Sequence, residues 1–144
     1  MLPNPAFTIQ NINTNNERGL LGIAFDPDFG SNGYVYVHYT YTNGSNYSQV
    51  SRFTLSGDTA VANSERVIVT LDKHDTNGGV HNGGAIRIDS SNKLFLFVGN
   101  IGNAGHSQDM TSPYGKALRF NLDGTIPTDN PYYNSATGTF SITC

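Results

Sequence analysis

Cysteine is all but missing: the 144 residues hold one, Cys144, so no internal disulfide can form. Charge is scarce as well. Asp, Glu, Lys and Arg make up 13% of the chain, with 8 basic residues against 11 acidic ones and a formal net charge of −3. That balance leaves no basic footprint and argues against nucleic acid as a partner. No apolar run approaches the roughly 18 residues of a membrane span. Met1-Leu2-Pro3-Asn4-Pro5 has neither the charged nor the apolar region of a signal peptide. Helical periodicity is also nearly absent, which points to an all-β chain.

Turn-formers and strand-formers fill the space. There are 16 glycines, above the usual ~7%, together with many Asn, Asp and Ser. Between them lie short β-branched and aromatic runs: Leu20–Phe25, Tyr34–Tyr41, Gln49–Leu55 and Arg66–Leu71. Asn43-Gly44 and Ser56-Gly57-Asp58 supply hairpin turns between them. Asn43-Gly44-Ser45 and Asn46-Tyr47-Ser48 are formal glycosylation sequons, relevant only to a secreted eukaryotic chain. The pattern then restarts. "GIAFDPDFGSNGYVYV" from Gly22 and "GAIRIDSSNKLFLFV" from Gly84 share a plan of short strand, Asp, polar turn with Asn, and second strand. A four-stranded unit over 20–71, recurring from about residue 84, predicts propeller blades at a period of about sixty residues. A β-sandwich meets the same spacing, and spacing alone leaves both open. The second copy is less regular: a long polar loop over 99–114, a strand in "GKALRFNLDG" (115–124), a loop-like "TIPTDNPYYNSATG" and a strand start at 140–143.

The first strand of a blade is its innermost, so the loop entering it lies at a mouth of the central channel. Counting back equally from Asp26 and Asp89 places Glu17-Arg18 and His81 on one rim. Polar, titratable groups converging on a funnel are what a small-molecule site requires. In "VHNGGAIRI", Gly83 and Gly84 permit positive φ or a close backbone approach directly behind the His81 imidazole. The plainer reading of His81 is a surface loop histidine bonded to a neighbouring carbonyl. His38 reads as a face residue of its strand, and His74 and His106 lie in polar loops. No pair of histidines has zinc-site spacing. "DPDFGSNG" resembles a calcium loop at first sight, but Gly30 takes the fifth position and no terminal Glu follows, so it reads as a turn. "GNIGNAG" (99–105) lacks the following helix that a phosphate loop needs.

Three stretches together, "ERGLLGIAFDPDFGSNGYVYVHYT", "HNGGAIRI" and "GKALRFNLDGTIPTDNPYY", resemble the glucose/sorbosone dehydrogenase family in order and spacing, from Glu17 to Tyr133. The resemblance implies a six-bladed β-propeller, of which residues 1–144 would form about two blades. It implies pyrroloquinoline quinone (PQQ) over the central channel with calcium helping to hold it, an aldose or related polyol as substrate, and an electron acceptor. It implies a periplasmic or secreted protein. His81 matches the family's general base, and Glu17, beside Arg18, falls where the family contacts the sugar.

Two departures stand out. Where the family commonly has a Gly-Asp pair whose Asp partners the histidine, this chain has Gly99-Asn100. Asn can orient an imidazole by hydrogen bonding, but it carries no charge. Six blades also need more than twice this length, so the residues gripping the quinone and calcium are expected elsewhere in a longer protein. These departures keep a second reading in view: a non-catalytic binding propeller of the hedgehog-interacting-protein type.

Overall fold

The computed structural model describes residues 4–71, 79–133 and 142–143. The first sheet is an antiparallel meander of β1 (Leu20–Phe25), β2 (Tyr34–Thr42), β3 (Asn46–Ser56) and β5 (Arg66–Thr70), with the two-residue β4 (Thr59–Ala60) also paired to β3. The second repeats the plan with β6 (Gly83–Ile88), β7 (Lys93–Val98), β8 (Lys116–Asn121) and β9 (Ile142–Thr143). Strand β4 was not foreseen in the sequence: two residues after Gly57 are too few to show an alternation. The β2–β3 hairpin turns through Asn43-Gly44-Ser45, with Gly44 at φ +72, a left-handed value that suits glycine.

Each first strand ends in an Asp-anchored turn. Asp26 Oδ1 accepts from the Asp28 N–H at 3.0 Å and from Asn32 Nδ2 at 2.9 Å, while Tyr36 OH donates to Oδ2 at 3.2 Å. Asp89 Oδ1 accepts from the N–H groups of Ser91 and Lys93, both at 2.9 Å. The first turn contains a helical turn, Phe29–Asn32, closed by Gly33 at φ +67. Because the Asp26 oxygens face N–H and O–H donors, this loop is built as a turn rather than a cation cage.

Strand β2 is buried from Val35 to Thr40, and its period of two divides the interior. Tyr36 joins Val50, Val69 and Leu71 against Ile86, Leu94, Leu96, Leu118 and Phe120 of the second sheet. On the opposite face Val35, Val37, Tyr39 and Phe53 are covered by Phe7, Ile9 and Ile12 of the leading segment. The main core is therefore the seam between sheets, where truncating Leu94 or Leu96 to Ala costs about 2–5 kcal/mol. The innermost strands β1 and β6 meet backbone to backbone at that seam. A Cβ on Gly22 would overlap the Gly84 carbonyl oxygen. No helix among the described residues is long and apolar enough to cross a membrane.

Candidate functional site

The loop before β6 carries His81, and the segment before β1 carries Glu17 and Arg18; the docking of β1 on β6 brings them together. The Glu17 N–H donates to the Gly79 carbonyl at 3.2 Å, and Glu17 Oε2 accepts the His81 backbone N–H at 2.6 Å. The Arg18 guanidinium lies against Gly79, with its buried Nε unpartnered. Asn82, 1% exposed, donates from Nδ2 to the same Gly79 carbonyl at 2.7 Å. Glu17 and Arg18 thus converge on the His81 loop itself.

His81 is exposed and sits at φ +56, a left-handed conformation that costs an L-residue about 1–2 kcal/mol. Contacts from both sheets hold it there. Besides the Glu17 carboxylate, the Ile101 N–H donates to the His81 carbonyl at 3.1 Å. Ile101 is itself left-handed at φ +50, which is rare for a β-branched residue. Strained backbone of this kind persists where surrounding contacts over-determine it, and it gathers at functional sites. Gly99 has to be glycine here, since a Cβ would collide with the His81 carbonyl oxygen. Gly83, at φ +71, is pressed against Gly99 N and the Phe97 carbonyl. The glycines behind the imidazole are therefore filled in by the chain's own backbone.

The imidazole is fixed by Asn100, whose Oδ1 lies 3.0 Å from His81 Nδ1. The same Oδ1 accepts the Gly102 N–H at 3.1 Å, and a backbone N–H can only donate, so this end of the amide is its oxygen. An amide oxygen cannot donate, so Nδ1 must carry the ring proton. In the neutral ring the lone pair then sits on Nε2. Sequence reading paired Asn100 with His81; it did not find Gly79, Asn82 or Ile101, because hydrogen-bond hubs and left-handed backbone leave no motif.

The other histidines are placed differently. His38 is fully buried on β2, paired with Gly22 across the sheet and close to the Gly84 carbonyl, with neither ring nitrogen in hydrogen-bond geometry. Burial pushes its pKa down to about 4, partly opposed by that carbonyl. His106 lies in a single 3-10 turn, Ala104–Ser107, which overlaps the end of the "GNIGNAG" stretch. Its Nδ1 meets Ser112 Oγ at 2.9 Å. His74 lies outside the described residues.

An acidic quinone needs cations turned toward it. Arg18 lies on Gly79, Lys116 donates to the carbonyls of His106 and Tyr114, and Arg119 pairs with Asp129 at 2.8 Å. No group of three His, Cys, Asp or Glu converges among the described residues to hold calcium. Among the described residues, these cations are engaged by the protein's own groups and do not form a grip for PQQ or its metal.

Comparison with known proteins identifies the family. The glucose/sorbosone dehydrogenase pattern matches residues 3–143. Quinoprotein glucose dehydrogenase B of Acinetobacter calcoaceticus is 31% identical over 150 residues, covering 82% of this chain and 30% of its own. An aldose sugar dehydrogenase of Escherichia coli is 28% identical over 89% of this chain and 35% of its own. This chain thus spans about a third of the length of these curated relatives. Among solved structures, the apo form of the soluble E. coli aldose sugar dehydrogenase matches with TM-score 0.81 and 25% identity, covering 91% of this chain and 38% of the other. The PQQ-bound aldose sugar dehydrogenase of Streptomyces coelicolor matches with TM-score 0.73 and 27% identity over 95% and 39%. The two sheets are blades of the β-propeller that such structures share. The chain belongs to the glucose/sorbosone dehydrogenase family.

Proposed function

We propose that these blades belong to a quinoprotein that oxidises an aldose or related polyol, with His81 as its general base. The observation that carries this reading is the Asn100 contact, which leaves the His81 lone pair on Nε2 of an exposed ring. Nε2 takes the proton of the substrate hydroxyl while hydride leaves the same carbon, so a C–O single bond becomes a carbonyl. Imidazole is the side chain that most often serves as a general base in such transfers. PQQ, when bound, supplies the two-electron acceptor for the hydride. The relatives' names support the quinone and the sugar. Calcium, an external electron acceptor and a periplasmic or secreted location complete the proposal by resemblance.

The test is His81→Gln in the full-length protein reconstituted with PQQ and calcium, followed by sugar-dependent dye reduction. Loss of a positioned base lowers kcat by about 10²–10⁴-fold. Retention of wild-type turnover would remove His81 from the reaction. Asn100 favours one other reading, a binding propeller without catalysis, because an amide carries no charge to stabilise an imidazolium. A protein that binds its partner without cofactor and never reduces the dye would support that alternative.

A further inference from the structure

Glu17 has a place in the site that substrate contact does not explain. Its carboxylate accepts the His81 backbone N–H at 2.6 Å, and its own N–H donates to the Gly79 carbonyl at 3.2 Å. One residue of the first sheet's leading segment therefore fastens the chain that presents His81 at two points, Gly79 and His81. That loop needs fastening, because His81 is a left-handed non-glycine residue at φ +56. A bond to a carboxylate is charge-assisted, so this anchor is stronger than a neutral one. The second sheet supplies the opposing anchors, the Ile101 N–H to the His81 carbonyl and Asn100 Oδ1 to the ring.

We infer that Glu17 is a positioning residue that acts through His81, holding its backbone so that Nε2 faces the substrate. The inference rests on His81 being the base. It makes the docking of the two sheets part of the site, since the anchor comes from one sheet and the base from the other.

The test is the amide hydrogen exchange of His81 in the full-length protein, with steady-state kinetics of the PQQ-loaded form, for Glu17→Ala and Glu17→Gln. A Gln oxygen can still accept the His81 N–H. In Glu17→Ala, His81 exchange should rise about tenfold or more while Leu96 in β7 stays protected, and kcat should fall about tenfold with KM within about twofold. Glu17→Gln, with a weaker neutral bond, should restore most of both. Unchanged His81 exchange in Glu17→Ala would overturn the inference, as would a rise in KM with kcat intact, which would make Glu17 a sugar contact. A Glu17→Gln protein as impaired as Glu17→Ala would overturn it too, because charge and not geometry would then matter. If His81→Gln keeps its turnover, the base reading fails, and the exchange data still report separately on the anchor.

Discussion

The two sheets share an Asp-anchored turn after the innermost strand and differ at the loop before it. After β1 and after β6 an Asp accepts the N–H two residues ahead, Asp26 from Asp28 and Asp89 from Ser91. Before β1 the chain presents a carboxylate at Glu17; before β6 it presents an imidazole at His81, and the first supports the second. The Asp turn is kept after both innermost strands, while the loops before them carry different side chains that meet each other. Binding and catalytic groups sit on loops of a rigid scaffold for this reason.

The comparison depends on the sheets docking closely, and its sharpest break is at Gly22. A side chain there meets the Gly84 carbonyl, which is backbone and cannot swing away. Gly22→Val should cost about 3 kcal/mol or more, read as a fall in the urea midpoint at unchanged slope. Unchanged stability would mean that β1 and β6 do not meet as described. A second break uses pH. His38 lies beside that contact with its pKa lowered to about 4 by burial. Between pH 6.5 and 4 the unfolded chain binds a proton that the folded chain refuses, so stability falls as pH falls through this window. The full loss is about 3 kcal/mol. In His38→Leu that component disappears, and urea titrations from pH 7 to 4.5 should show a shallower decline than in wild type. Equal slopes would place His38 in contact with water.

Much of the scaffold was legible in the sequence because it rests on short-range patterns. The alternation in Tyr34–Tyr41 and the Asn43-Gly44 turn define a strand and a hairpin from adjacent residues. Asp26 and Asp89 marked the repeat because an Asp turn uses local donors. Pairing His81 with Asn100 came from family resemblance, and the 3.0 Å contact gives that pairing its geometry. Gly79, Asn82 and Ile101 were not legible, since their roles arise from carbonyls and φ values that only the docked loops create. Family resemblance implies that Glu17 contacts the sugar; its Oε2 accepts the His81 backbone N–H, a bond that a linear sequence does not show.

The smallest expected effect tests whether the loop before β6 is tuned for proton transfer. Both contacts on Asn100 Oδ1 are accepted ones, from His81 Nδ1–H and the Gly102 N–H. An Asp at this position can accept the same two, so Asn100→Asp keeps the geometry and adds only charge. Charge matters when the ring becomes an imidazolium, and a hydrogen bond to a charged group contributes about 1–2 kcal/mol more than a neutral one. On the reading of His81 as base, Asn100→Asp should raise sugar-dependent kcat in the PQQ-loaded full-length protein about five- to thirtyfold, with KM little changed. The matching Asn100→Ala protein loses the tautomer lock and should fall below wild type. If Asp and Asn turn over equally in an active protein, proton abstraction does not limit the rate. If Ala matches both, Asn100 does not orient the ring during turnover, and the loop before β6 would be no more specialised than the one before β1.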